Sequence, residues 1–275
     1  MVKILDIQGA SLPALGFGTW SLSGSRCREM VCCAIELGYR HIDTATIYGN
    51  EVEVGQGIAA SGISRDEIFL VTKVWTNNLR FKAVLASAEE SLRRLDTDYV
   101  DLLLVHWPTR SVPLSETLDA MSELRSRGQI RHVGVSNFNV ALMREAIEVH
   151  GVKLLANQVE YHPYLSQNRV LDYARSRGMT VTAYSPVAKG RVIRDPALKR
   201  IARKHGKSPA QVALRWLIEQ DAVSAIPKAG DPAHCRANIE IFDFELDDED
   251  RNEIDALPKQ NRITDMSSGY AWDPD

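Results

Sequence analysis

Cysteine is scarce in this chain and poorly spaced for a cross-link or a metal. Four occur in 275 residues, at Cys27, Cys32, Cys33 and Cys235. None forms C-x-x-C, and the Cys32–Cys33 pair falls inside a helical pattern. A structural zinc site therefore lacks its ligand pairs, and no metal is expected. Thiols left reduced lead to the expectation of a cytoplasmic protein. Long apolar runs are missing too, since none approaches the roughly 20 residues of a membrane-spanning helix. The opening MVKILDIQGASLPALG holds neither an uninterrupted apolar stretch nor an A-x-A site, so no signal peptide is read there. Nor is there an excess of one charge. Lys and Arg number 33 against 36 Asp and Glu, a net charge of −3, and the basic residues are interleaved with acids, as in SLRRLDTD. This excludes bulk attraction to nucleic acid or to a membrane surface. No composition break or long linker appears, so residues 1–275 are read as one domain. No exposed apolar heptad or stripe marks an interface, and a monomer is expected.

What the chain has is alternation. Short apolar segments are each followed by a longer amphipathic one. Strands are read at Leu15–Trp20, Tyr39–Asp43, Ile68–Lys73, Tyr99–His106, Ile130–Ser136, Leu155–Glu160, Met179–Tyr184 and Val223–Pro227. Helices are read at Arg26–Leu37, Asn50–Ser61, 81–95, Leu114–Arg127, Val140–His150, Gln167–Arg177, Pro196–His205 and Ser208–Gln220, with Asp231–Glu240 as the last barrel helix. Ser208 and Pro209 supply a cap and a first-turn proline, while Gly128 and Gly178 serve as stop signals. The run VDLLLVH suits a strand buried on both faces. Eight strand–helix units predict an α/β fold, a (β/α)8 TIM barrel. An open doubly wound sheet would call for a glycine-rich turn after an early strand. The glycine cluster LGFGTW instead lies within the first strand and lacks G-x-G-x-x-G. The segment VKILDIQGASLPALG is read as an N-terminal β-hairpin across the barrel floor.

In such a barrel, chemistry gathers at the C-terminal ends of the strands. Those ends carry Thr19 and Trp20, then Asp43 with Tyr48 in its loop, then Lys73 and Trp75, then His106 and Trp107. Ser136 and Asn137, Gln158 with Glu160 and His162, Tyr184 and Ser185, and finally Pro227 and Lys228 complete the ring. Taken alone, Asp43 could cap a turn, Lys73 could be an exposed loop residue and His106 a satisfied core histidine. Together the four are a coherent acid site. A tyrosine titrates near pH ~10, and to donate a proton near neutrality it needs a cation that stabilises the phenolate. Lys73 can supply that charge, Asp43 can hold Lys73 protonated, and His106 can orient a carbonyl oxygen. A proton donor alone reduces nothing, so the scheme requires a hydride source.

The stretches GFGTW, HIDTATIYGNE, LVTKVW, DLLLVHWP, GVSNF, NQVEYHPY, AYSPVAKG and AIPKAG, in that order, resemble the successive motifs of the aldo-keto reductases across nearly the full chain. The likeness is greatest to bacterial 2,5-diketo-D-gluconate reductases and related prokaryotic members. It implies a nicotinamide cofactor bound without a Rossmann fold, and a small-molecule carbonyl substrate. Carried over by position, Tyr48 is the proton donor, Lys73 and Asp43 tune it, and His106 orients the substrate. Ser136, Asn137 and Gln158 hold the nicotinamide carboxamide, and Tyr184 stacks on its ring. Ser185 and the adjoining backbone at Pro186 meet the pyrophosphate, and Thr19, Trp20 and Asp43 also lie against the cofactor. Trp20, Trp75 and Trp107, with Tyr48 and His106, wall the substrate pocket.

At the adenosine end the chain departs from that family pattern. Lys228 and Asn238 match, but Ala229 replaces a hydroxyl residue and His234 stands where an arginine is expected. Arginine is a permanently charged fork, and histidine is only partly charged near neutrality. NADPH is therefore expected to be used and preferred through Lys228, with NADH accepted to an unusual degree. Arg236 would face elsewhere on its helix. The short connection WPTRSVPLSE suggests an open, tolerant pocket. The tail DMSSGYAWDPD either folds over that mouth, bringing Tyr270 or Trp272 to the substrate, or frays. Two rival functions remain. A redox-sensing, cofactor-binding regulatory subunit is opposed by the complete set of four residues and the lack of long insertions. A Schiff-base enzyme built on Lys73 is opposed by Asp43, which would keep that amine charged.

Overall fold

The computed structural model describes residues 2–266 and 269–274. It opens with an antiparallel hairpin of β1 (Ile4–Ile7) and β2 (Ala10–Pro13). Gln8 and Gly9 form its turn, both at positive φ (53° and 84°), which matches the turn twist that strand pairs favour. The hairpin is pinned to the floor of a barrel. Gln8 Nε2 donates to the carbonyls of Leu154 and Gly178, at the entrances to two strands. Lys3 Nζ donates to the carbonyls of Ile218 and Gln220 at the end of a helix, where a cation is favoured.

Eight parallel strands follow in chain order: β3 (Phe17–Gly18), β4 (His41–Asp43), β5 (Phe69–Val74), β6 (Val100–Val105), β7 (Ile130–Ser136), β8 (Leu154–Glu160), β9 (Thr180–Tyr184) and β10 (Val223–Ala225). The seam between β10 and β3 is joined by Gly16 N–H to Ala225 O at 2.8 Å, Ala225 N–H to Ala14 O at 2.8 Å and Gly18 N–H to Pro227 O at 3.0 Å. This is what the glycines of LGFGTW are for. A methyl group on Gly18 would sit 2.7 Å from Ile226 O, and one on Gly16 would sit 2.6 Å from His41 Nδ1. The first strand is shorter than predicted because its flanks serve this closure and the Thr19 turn rather than a ladder. Leu102, Leu103 and Leu104 of β6 are all buried, one side toward the barrel interior and the other toward the helices. Each contributes about 2 kcal/mol of apolar burial.

The helices are α1 (Gly24–Glu36), α2 (Glu51–Ala60), α3 (Phe81–Leu95), α4 (Leu114–Ser126), α5 (Val140–Arg144), α6 (Asn168–Ser176), α7 (Pro196–His205), α8 (Pro209–Glu219), α9 (Pro232–Ile239) and α10 (Asp248–Asp255). Ser208 and Gln211 form a reciprocal cap on α8; Asp195 caps α7 by accepting from the Ala197 and Leu198 amides, and Asp231 caps α9 by accepting from the His234 amide. Two departures from the predicted elements have clear causes. The helix predicted over Val140–His150 loosens into a π turn at Glu145–Val149. Helix α10 was not foreseen because only Ile254 within it is buried apolar, so the helical period is faint. Its start is set by an Asp247–Asp250 capping box instead. Among the described residues no helix is long and apolar enough to cross a membrane.

Candidate active site

Asp43 is the last residue of β4, level with Val71 of β5, and Lys73 lies two residues further along β5 toward the barrel mouth, on the same face as Val71. Asp43 and Lys73 are both buried. Lys73 Nζ donates to Asp43 Oδ1 at 2.5 Å and to Thr44 O at 2.7 Å, and reaches the Tyr48 hydroxyl at 3.4 Å. Three donors thus have three acceptors, and the phenol takes the weakest. Asp43 Oδ2 accepts from Gln158 Nε2 at 2.7 Å. Burial pulls the Lys73 amine below its ordinary range, and Asp43 opposes that pull.

Tyr48 sits in a single 3-10 turn, Thr46–Tyr48. Gly49 ends the turn at φ 66°, a left-handed conformation that suits glycine. Asn50 fastens it. The Asn50 amide donates to Thr19 O and Leu22 O and accepts from Thr44 Oγ1, and Thr46 Oγ1 donates to Lys73 O. Asn50 is a positioning residue that sequence reasoning treated only as part of a turn. The phenol is pushed well above its ordinary range, first by burial and then by the Asp43 charge. The shorter bonds of Lys73 go to Asp43 and Thr44, and its contact with the phenol is the longest of the three. Tyr48 therefore stands protonated at neutral pH.

His106, at the end of β6, meets the Tyr48 ring edge-on with centroids 5.6 Å apart, and Trp75 at 5.1 Å. Burial, followed by the Lys73 charge, lowers its pKa to about 2. It is thus a neutral imidazole, one nitrogen a donor. Nδ1 is buried with no hydrogen-bond partner among the described residues. The lowered pKa has a stability consequence. Below the unfolded value of about 6.5 the unfolded chain takes a proton that the native chain refuses. Stability is therefore full above about 6.5 and falls with acid toward 2. Between pH 7 and 5 this histidine alone costs about 2 kcal/mol. Denaturant melts should show that His106→Gln loses about that much less stability over the interval than the parent; an equal loss would contradict the assignment.

A hydrogen-bonded chain links this corner to the next three strand ends. Tyr184 OH donates to Asn137 Oδ1 at 2.9 Å. The Asn137 amide donates to His106 O and Ser136 Oγ, and Ser136 Oγ donates to Gln158 O. Asn137 adopts φ 63°, a left-handed conformation that asparagine tolerates. Of the eight non-glycine residues at positive φ among those described, Ser21, Asn137, Ser185, Ala188 and Lys189 all lie in loops after strands. Backbone strain of this kind collects at functional loops.

The other predicted residues divide. Trp20, exposed, packs on Tyr48 at 4.8 Å between centroids. Buried Thr19 hydrogen-bonds Asp43 O. Ser185 and Pro186 begin the strained loop. Trp107 is buried against Trp272 rather than open at the rim. At the far end Lys228 is exposed and Asn238 half-buried. His234 is exposed and engaged with Asp231.

The described residues of the tail contact groups that follow the barrel strands. Ile263 and Thr264 donate their amides to the buried carboxylate of Glu160 at 2.7 and 2.6 Å. Arg262 stacks on Trp272, and Arg110 lies over Tyr270. Ser267 and Ser268, part of the predicted tail, lie outside the described residues. Glu160 appeared in sequence only as one polar strand end. Its carboxylate meets His162 two residues on at 3.0 Å, but the two amides it accepts from are about a hundred residues away, and nothing local signals them.

Residues 14–259 match the sequence profile of the Aldo/keto reductase family. The glyoxal reductase of Bacillus subtilis (strain 168) is 42% identical over 256 residues, which cover 93% of this chain and 92% of that protein. The methylglyoxal reductase DkgB of Salmonella typhimurium is 40% identical over 267 residues, 96% of this chain and 100% of that protein. A crystal structure provisionally assigned as a 2,5-diketo-D-gluconic acid reductase B superposes with a TM-score of 0.97 at 47% identity, covering 100% of this chain and 98% of its own.

Proposed function

The chain belongs to the aldo/keto reductase family, and from that premise we propose that it reduces small aldehydes and ketones, dicarbonyls and keto sugars among them, to alcohols with Tyr48 as proton donor. The observation that carries this reading is the hydrogen-bonded set of Asp43, Lys73 and Tyr48 facing neutral His106. The Tyr48 hydroxyl gives its proton to the carbonyl oxygen as that oxygen gains negative charge. Lys73 steadies the phenolate left behind, and Asp43 keeps Lys73 in place. His106, held neutral, donates a hydrogen bond that orients the carbonyl. Water then returns the proton to Tyr48. The similarity to glyoxal, methylglyoxal and diketogluconate reductases supports a small, polar carbonyl substrate. The protein is proposed to act as a cytoplasmic monomer.

The residues present fit a nicotinamide dinucleotide. Ser136, Asn137 and Gln158 cluster amide and hydroxyl groups beside Asp43, Tyr184 borders them, and Lys228 stands exposed at the opposite rim. When bound, such a cofactor supplies the hydride that the carbonyl carbon receives. Among dinucleotides NADPH is proposed to be preferred and NADH accepted, because His234 is partnered by Asp231 where a free arginine would otherwise serve. A panel of carbonyl substrates assayed with both cofactors tests the function directly. The expected kcat/KM ratio favours NADPH modestly, and His234→Arg raises it. A parent ratio of roughly several thousand or more would defeat the reading, given that one charge-assisted contact is worth about 1.5–3 kcal/mol.

A further inference from the structure

The rim near Lys228 holds a second cation that comes from a different part of the fold. Arg26 lies in the first turn of α1 and is half exposed at 50%. Its Nε donates to Gly230 O at 2.8 Å, across the gap between α1 and the loop that follows β10. Lys228 approaches the same glycine, since a methyl group placed there would lie 3.9 Å from Lys228 Nζ. Two permanent or near-permanent cations therefore flank one residue of this loop. Asp231, the nearest acid in sequence, is taken up by His234 and by capping α9. Glu29 is 3.9 Å from Arg26 and itself 55% exposed, so it neutralises Arg26 weakly.

We propose that Arg26 and Lys228 together grip the 2′-phosphate of NADPH, with Arg26 supplying from α1 the charged fork that α9 lacks at His234. The inference rests on the cofactor reading above and deepens it. A phosphate monoester carries close to two negative charges at neutral pH, and a guanidinium fork with an ammonium beside it matches that charge and geometry. Nε is anchored on Gly230 O, so the fork is held in place before the ligand arrives. Selectivity then comes from two elements of the fold rather than from one helix.

Calorimetric titration of the protein with NADPH, NADH, 2′,5′-ADP and 5′-AMP tests this without turnover. Arg26→Met is expected to weaken NADPH and 2′,5′-ADP about 10- to 100-fold, the effect of losing one charge-assisted pair. NADH and 5′-AMP should move less than about 2-fold, and raised salt should narrow the difference between parent and variant. Arg28→Met, which removes an exposed charge two residues along the helix and on another face, should leave all four near parent values. If Arg26→Met weakens all four ligands alike, or none, the assignment is overturned. Equal losses from Arg26→Met and Arg28→Met would overturn it too, because the effect would then be bulk charge. A parent protein that binds neither dinucleotide defeats the cofactor reading and the inference with it, an outcome distinct from an unresponsive Arg26.

Discussion

Tyr48→Phe should abolish reduction while leaving the protein folded and able to bind cofactor. The change deletes one oxygen. The ring keeps its contacts with Trp20 and His106, and Lys73 keeps its two shorter bonds, to Asp43 and Thr44. Only the 3.4 Å contact is lost, so melting should shift by little. The chemical cost is of another order. Hydride addition turns a weakly basic carbonyl oxygen into an alkoxide, and without a proton at hand that charge must be carried unaided. General acid catalysis by a positioned group contributes about 10²- to 10⁴-fold, and kcat should fall by roughly 10³-fold on that basis. Cofactor dissociation constants measured by fluorescence titration should stay within about 3-fold, since losing even one ordinary hydrogen bond costs only about 1 kcal/mol. Near-parent turnover would remove Tyr48 from the mechanism. The raised phenol pKa strengthens the expectation: the group is a proton reservoir at neutral pH rather than a ready anion.

Much of this site could be read from the sequence because a barrel converts strand order into spatial order. Asp43, Lys73 and His106 are far apart in sequence, yet each ends or nears the end of a strand adjacent to the next. Once the alternation is recognised, their proximity follows. The links between them are not recoverable in the same way. That Gln158 reaches Asp43, or that Tyr184 bonds Asn137, depends on rotamers and on strand register across the interior. The strap from Ile263 and Thr264 to Glu160 uses backbone amides, which every residue possesses. Helix α10 hid behind its acidity, and the two glycines of LGFGTW showed their purpose only when the seam closed around them. The balance of burial and charge at Tyr48 is likewise set by the folded chain. Residue types identify which charges are near, but distances and burial decide which of them wins.

Lys73→Met should cost both stability and activity, and adding Asp43→Asn should return the stability alone. The pair is wholly buried, with side-chain exposures of 0% and 2%. Removing one partner leaves an uncompensated charge in the interior, which costs about 3–5 kcal/mol. At about 2–4 °C per kcal/mol for a chain of this size, the single variant should melt roughly 10 °C below the parent. Removing both charges removes the penalty, because a buried ion pair is often no more stabilising than apolar or neutral groups of similar volume. Methionine fills the space of the lysine stem, and asparagine still offers Gln158 an acceptor. The double variant should therefore recover to within about 1–2 kcal/mol of the parent, while kcat stays at least about 10²-fold down. Thermal melts and steady-state rates on parent, both singles and the double form a closed cycle. If the double variant is as unstable as the two single losses summed, the charges are not coupled and the site is misread. If Lys73→Met turns over at near the parent rate, the ion pair has no part in the chemistry. A pair that stability can dispense with, kept at the mouth of the barrel 3.4 Å from a phenol, is explained by what it does for that phenol's proton.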